Sequence, residues 1–392
     1  MKVGVTGASG QVGSRLLRHL AGNGIPAVGA VRNPLGAALC DAVAPGSTIR
    51  IGALTPPSGE PHLLDDCDVI INCAIASSGG IPRHAYTRNT SLVDGLLNAK
   101  SLRWLIHFST VAVYGELIAA DTTTPRPSSE YGRSKLHVER HAVRRARDQK
   151  IDCSVIRLGH VYGDGIARSR EIIELSRDAA FRLPFDGRLP SNAIHVDAVG
   201  AAIVGLLTGG TRGAVYSLAE ASNSWRDVFD WHTSCLGLAP VSRMPDQDSA
   251  AHRAALTPSL TRETLAWAKG LPLKSLVRSP AMFDLALQAL VHTPDAVTQR
   301  LSDVNRRTGA RSHIARADAA GALSVPALYF SAGMPGPFLP LPPLPEHGLG
   351  AGVSRARDLQ EWYDRWRAPR LGAATAALHG DSPQTPEQRP WM

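Results

Sequence analysis

Thr6-Gly7-Ala8-Ser9-Gly10-Gln11-Val12-Gly13 follows directly on the apolar run Val3-Gly4-Val5 and leads without a gap into a helical pattern over residues 14–20. Leu16, Leu17 and Leu20 recur on one face of that helix. A strand that turns this abruptly into a helix needs glycine, both for positive φ and for close approach of the backbone to a pyrophosphate. The helix that starts there points free N–H groups and the positive end of its dipole at the same place. Gly7, Ser9, Gly10, Gln11, Val12 and Gly13 are therefore the candidate phosphate-binding residues.

Outward from this turn, the first 160 residues alternate strand and helix patterns, which specifies an α/β fold with a parallel sheet. Strands are expected over 3–6, 27–31, 68–72 and 104–109, with helices over 92–100 and 134–147 among those between. The rhythm loosens after Asp164 and returns as a strand-to-helix unit over 193–207, a strand over 215–218 and a helix from Trp225. The expected architecture is a Rossmann-type doubly wound parallel sheet with a smaller C-terminal substrate-binding lobe. The dinucleotide-binding part spans 1–160 with returning elements over about 191–235, and the lobe spans 161–365. Within the lobe, about 240–345 reads as an insertion with an amphipathic helical region, Met282 to Leu301, and a proline-rich stretch from Pro335 to Pro345. Residues 366–392 read as a mobile tail.

The 392 residues are 44% hydrophobic, enough for a sizeable core. No apolar run approaches the ~18 residues of a membrane helix. Lys2 leads at once into a strand, so no signal peptide is expected. The five cysteines (Cys40, Cys67, Cys73, Cys153 and Cys235) are scattered without CxxC spacing. That pattern argues against a disulfide framework or a metal site and fits a reducing cytoplasm. The net charge of +8 could attract an anionic ligand or nucleic acid. The densest basic run, Arg144-Arg145-Ala146-Arg147, lacks interleaved aromatics, so solvated helix faces are the preferred reading and no nucleic-acid partner is expected.

Arg32 closes the second strand, where an NAD-binding fold would place an acidic residue on the ribose hydroxyls. A guanidinium there suits the extra 2′-phosphate of NADP, with Arg15 as a second candidate; an ordinary surface arginine is the alternative. Tyr131-Gly132-Arg133-Ser134-Lys135 places a phenol and an ammonium one helical turn apart on one face. An ordinary phenol, with a pKa near ~10, is a poor proton catalyst at neutral pH, and a neighbouring ammonium favours its phenolate. About twenty residues upstream, Phe108-Ser109-Thr110-Val111-Ala112-Val113-Tyr114-Gly115 ends a strand.

On these motifs the chain resembles the extended short-chain dehydrogenase/reductase family, the NAD-dependent epimerase/dehydratase branch, over roughly residues 1–235, with a faint echo at 358–366. Further elements match in order: Asn72-Cys73-Ala74, Asn89, Arg157-Leu158-Gly159-His160-Val161-Tyr162-Gly163 and Ile194-His195-Val196-Asp197. The resemblance implies that Tyr131 exchanges a proton with the substrate oxygen, Lys135 tunes it and holds the nicotinamide ribose, and Thr110 hydrogen-bonds the same oxygen, with Ser109 as the neighbouring alternative. It also implies that Ala74 and Leu158 contact the cofactor and that Arg188 meets a substrate pyrophosphate, an ordinary surface arginine being the alternative. A homodimer packed through helices like that over 134–147 is a further implication.

The chain departs from the family pattern at Val111-Ala112, where dehydratases carry Asp-Glu. Apolar residues cannot do that acid–base work, which argues against a 4,6-dehydratase. Gly52-Ala53-Leu54 stands where Asp-Leu usually meets the adenine. His195 and Asp197 read as structural, and Trp225 and Trp231 as core. Three functions follow: an NADP(H)-dependent ketoreductase, a nucleotide-sugar epimerase with tightly bound NAD, and a non-catalytic dinucleotide sensor. The intact trio argues against the last.

Overall fold

The computed structural model describes residues 1–56, 60–76, 82–115, 117–118, 123–256 and 327–341. The chain opens with β1 (Val3–Thr6), α1 (Gln11–Gly22), β2 (Ala27–Val31), α2 (Pro34–Val43), β3 (Thr48–Ile51), β4 (Val69–Asn72), α3 (Pro82–Leu97) and β5 (Trp104–Thr110). A 3-10 turn over Val111–Tyr114 leads to α4 (Glu130–Asp148), β6 (Asp152–Leu158), β7 (His160–Tyr162) and α5 (Ala167–Arg177). Then come β8 (Ala193–His195), α6 (Val196–Gly209), β9 (Val215–Leu218), α7 (Trp225–Cys235) and α8 (Asp246–Leu256).

Seven strands form one sheet in the order β3-β2-β1-β4-β5-β6-β9, and every neighbouring pair is parallel. The order reverses between β1 and β4, so the crevice at their C-terminal ends is where such a fold binds ligands. β1 and β4 are buried along their whole length, as strands covered on both faces must be. α1 packs on α6, with Leu16, Leu17 and Leu20 in the same core as Val199, Ala202, Ile203 and Leu206.

Expected and observed boundaries agree closely for β1, β2, β4, β5, β8 and β9. α3 begins ten residues ahead of the reading, and α4 begins at Glu130, where Ser129 accepts the Gly132 N–H at 3.1 Å as its N-cap. The reading did not include β3, α2, α5, α8 or the small β7–β8 sheet. The amphipathic region over 282–301, the echo at 358–366 and the tail over 366–392 lie outside the described residues. Among the described residues, no helix is long and apolar enough to cross a membrane.

A second core is aromatic and joins residues from both expected parts: Tyr162, Phe181, Tyr329 and Phe330 from the expected lobe, and Trp225, Phe229 and Trp231 from the returning elements. The proline-rich stretch is tied to β9 and the main core. Ser217 in β9 donates its N–H to the Pro337 carbonyl and accepts from the Leu339 N–H, each at 2.9 Å, and Leu339 belongs to the main core. Asn192 anchors the same strap. Its amide donates to the Ala332 carbonyl at 2.9 Å and accepts from the Met334 N–H at 2.8 Å.

His195 and Asp197 are structural, as read. The Asp197 carboxylate accepts from Arg18 at 3.0 Å and lies 3.1 Å from His19, tying α6 to α1, while His195 caps α6.

Asn192 is buried and holds φ at +49°, so Asn192→Ala loses both strap bonds and strains the backbone. The expected loss in urea unfolding is about 2–4 kcal/mol. Asn192→Gly, free of the strain, should lose about 1 kcal/mol less.

Candidate active site

The glycine turn is built by close packing. Gly7 holds φ at +63°, and a Cβ there would lie 2.8 Å from the Ala74 backbone nitrogen. A Cβ on Gly13 would lie 2.3 Å from the Gly7 carbonyl oxygen. The Gly10 N–H donates to that same carbonyl at 2.9 Å. The start of α1 carries no side-chain cap and no acidic residue in its first turn. Its N–H groups therefore remain directed at whatever anion sits before them.

Asn72 joins this turn to the next strands. Its Oδ1 accepts from the Thr6 hydroxyl at 2.7 Å and from the Ala74 N–H at 3.2 Å. With both acceptor directions used on Oδ1, the amide nitrogen is the group facing His107 Nδ1 at 3.1 Å. These residues fit a dinucleotide: a turn free of Cβ atoms, uncapped helix N–H groups, and Ala74 packed directly behind Gly7.

At the same sheet edge, Thr110 ends β5 in register with Leu158 at the end of β6. The Thr110 hydroxyl accepts the Ala112 N–H at 3.3 Å and stands near enough to Tyr131 to favour its phenolate. Tyr131 leaves half its surface exposed, yet the residues packed around it raise its phenol above the usual value, opposed by the Thr110 hydroxyl. One turn later, Lys135 donates from Nζ to the Phe108 carbonyl at 2.7 Å. Burial pushes its ammonium down to about 8, against the attraction of Cys73 and Glu139. Phenol, hydroxyl and ammonium are thus brought together on α4 and β5.

Behind the trio, Glu139 and Arg157 form a largely covered two-pronged ion pair at 2.6 and 3.2 Å. Arg157 donates a third bond to the Tyr114 hydroxyl at 2.7 Å. The pair fixes α4 against β6, and with it the spacing of Tyr131 and Lys135 from the strand ends. Sequence reasoning missed Glu139; its place four residues after Lys135 was the available signal. His107 was missed as well.

The other candidates are dispersed. Arg32 is exposed just past β2. Arg15 forms an ion pair with Asp164, and Gln11 accepts the Ala167 N–H at 3.3 Å, so the start of α1 also holds the loop ahead of α5. Arg188 is exposed and gives both described carboxylate contacts, each at 2.7 Å, to Asp246. It is not brought to the trio.

Glycine turn and trio open on one edge of one parallel sheet, and that convergence defines the class: an enzyme of the extended short-chain dehydrogenase/reductase type. Residues 3–185 match the NAD dependent epimerase/dehydratase family. A curated relative is a 4-hydroxy-2-methyl-3-oxo-4-farnesyl-3,4-dihydroquinoline-1-oxide ketoreductase of Stigmatella aurantiaca. It is 26% identical over 233 residues, 57% of this chain and 69% of the relative. Among solved structures, a UDP-glucuronic acid 4-epimerase from Bacillus cereus aligns with TM-score 0.50 at 23% identity, over 63% of this chain and 86% of its own. A dTDP-glucose 4,6-dehydratase from Streptomyces venezuelae aligns with TM-score 0.50 at 20% identity, over 69% and 98%. Both structures show likeness of fold.

Removing Glu139 strands a largely covered guanidinium. Glu139→Ala should cost about 3–5 kcal/mol in denaturant unfolding, and Glu139→Gln, which keeps one acceptor, distinctly less.

Proposed function

We propose that the chain is an NADP(H)-dependent ketoreductase, and the placing of Tyr131 and the half-buried Lys135 one helical turn apart on α4, with Lys135 bonded to the end of β5 that carries Thr110, carries the reading. A bound nicotinamide dinucleotide supplies or accepts hydride. Gly7, Ser9, Gly10, Gln11, Val12 and Gly13 would hold its pyrophosphate, with Ala74 and Leu158 lining the way to the trio.

The chain's own part is the proton. The Tyr131 phenol donates to the substrate carbonyl oxygen as that oxygen gains charge, and the Thr110 hydroxyl donates a hydrogen bond to the same atom. Lys135 steadies the phenolate left behind by its positive charge. Val111 and Ala112 offer no second acid or base, so water elimination is not part of the chemistry.

NADP is favoured by Arg32. The start of α2 packs on the glycine turn: a Cβ on Gly36 would lie 3.3 Å from Ser9 Oγ. Arg32, two residues ahead of α2, therefore sits on the rim of that turn, and no acidic side chain closes β2. Arg15, held by Asp164, is not part of this reading. The curated ketoreductase relative supports a keto substrate. The alternative is an epimerase acting on a nucleotide sugar; there Arg188 would have to exchange Asp246 for the pyrophosphate.

Tyr131→Phe should cut ketone reduction about 100- to 10,000-fold while NADPH binding survives. Turnover like the wild type in that variant overturns the mechanism. Protein that purifies with bound NAD and interconverts nucleotide sugars without added cofactor would establish the epimerase instead. Arg32→Ala should weaken NADPH about ten- to a hundredfold in a fluorescence titration and leave NADH unchanged. The ammonium is lost as pH rises through the Lys135 value of about 8, so turnover should fall on that side.

A further inference from the structure

A small cavity of about 10 Å3, at the lower limit for one water, lies beneath the trio among Asn72, Ala74, Asn89, His107, Ser134 and Lys135. His107 is buried, and among the described residues its Nε2 has no hydrogen-bond partner. Buried polar atoms are nearly always paired, so an orphan on a cavity wall calls for an occupant.

The network around His107 fixes what that atom is. Asn72 Oδ1 is committed to Thr6 and Ala74, so the Asn72 amide nitrogen donates to His107 Nδ1. The ring is neutral, because burial and then the Lys135 charge push its pKa down to about 3. A neutral imidazole that accepts at Nδ1 carries its proton on Nε2. The orphan is therefore an N–H donor. Lys135 stands on the same wall with donors beyond the one given to Phe108. His107 and Lys135, both with donors to spare, line one water-sized space.

We infer that His107 is a positioning residue for Lys135: one water held in the cavity accepts from both His107 Nε2–H and the Lys135 ammonium. Asn89 and Ser134, on the same wall, carry acceptors for its hydrogens. A continuous chain then runs from the glycine turn through Thr6, Asn72, His107 and the water to Lys135. This inference rests on the reading that Lys135 serves the site.

The test is titration of Lys135 in the cofactor-free protein, followed by NMR of lysine labelled with carbon-13 at Cε. Lys135→Met assigns the signal among the six lysines of the chain. The charged and titratable groups facing Lys135 are Tyr131 and Glu139 on its own helix, Cys73 after β4, and His107 in β5. His107→Leu removes donor and water together, so the ammonium loses an acceptor. Its pKa should fall by about one unit, the worth of one hydrogen bond to a charge. His107→Gln, which keeps a donor, should restore a value close to wild type. An unshifted Lys135 in His107→Leu overturns the inference. Should that variant fail to fold, a high-resolution crystal structure of the wild-type protein decides: density for a water between His107 Nε2 and Lys135 Nζ supports it, and an empty cavity overturns it. Neither readout uses turnover, so a protein without ketoreductase activity would refute the proposed function and leave this result standing.

Discussion

One side-chain amide holds the working edge of this protein together. Asn72 ends β4, and its two polar atoms reach β1 through Thr6, the following loop through Ala74, and β5 through His107. The glycine turn can lie against Ala74 only because Gly7 has no Cβ, and the amide keeps that contact in register. A buried network of this kind is stable only when each member has its partner. Losing the amide would leave the Thr6 hydroxyl, the Ala74 N–H and His107 Nδ1 all short of a bond, at the point where the strand order reverses.

The second constraint acts from the other side of the trio. Glu139 is buried and Arg157 largely covered, and an isolated buried charge is far costlier than the pair. Their geometry dictates the distance between α4 and β6. Tyr131 and Lys135, carried on α4, have their height over the strand ends fixed by an ion pair that never meets a substrate. Asn72 fixes the floor on which a dinucleotide would rest, and Glu139 fixes the groups that would act above it. Lys135 lies where the two networks come closest, with Phe108 and the cavity on one side and Glu139 a turn away.

This division explains what could be read from the chain alone. β1, β2, β4 and β5 are short apolar runs buried on both faces, and such runs carry their own signal. Thr48–Ile51 is half-exposed at the edge, with Arg50 turned to Asp66, and it reads as loop. The glycine turn and the Tyr131–Lys135 spacing are local patterns, so they were legible. The Asn72–His107 bond joins residues 35 apart, Arg157–Glu139 joins residues 18 apart, and Arg188–Asp246 joins residues 58 apart. Glu139, four residues after Lys135, carries a local signal; the other partners carry none. The same limit holds for the proline-rich strap, which β9 holds through two backbone bonds and the Ser217 hydroxyl, all ending on strap backbone atoms that no side-chain pattern announces.

The long-range pairs also bear on how the two parts of the chain cooperate. The start of α1 has two duties: its N–H groups face the anion site, while Arg15 and Gln11 hold the loop before α5. That loop carries glycines at positive φ, Gly163 and Gly165, around Asp164. α5 belongs to the second, aromatic core, through Ile172 and Ile173. Any movement of α1 on taking up a dinucleotide would therefore be transmitted to α5 through Asp164, without passing through the trio. Thr110, Tyr131 and Lys135 are framed by β5, α4 and the Arg157–Glu139 pair, and they meet the glycine turn through Asn72 and His107. Two ion pairs therefore hold two different neighbours of the sheet edge, Arg15–Asp164 the loop ahead of α5 and Arg157–Glu139 the helix that carries the proton-transfer groups.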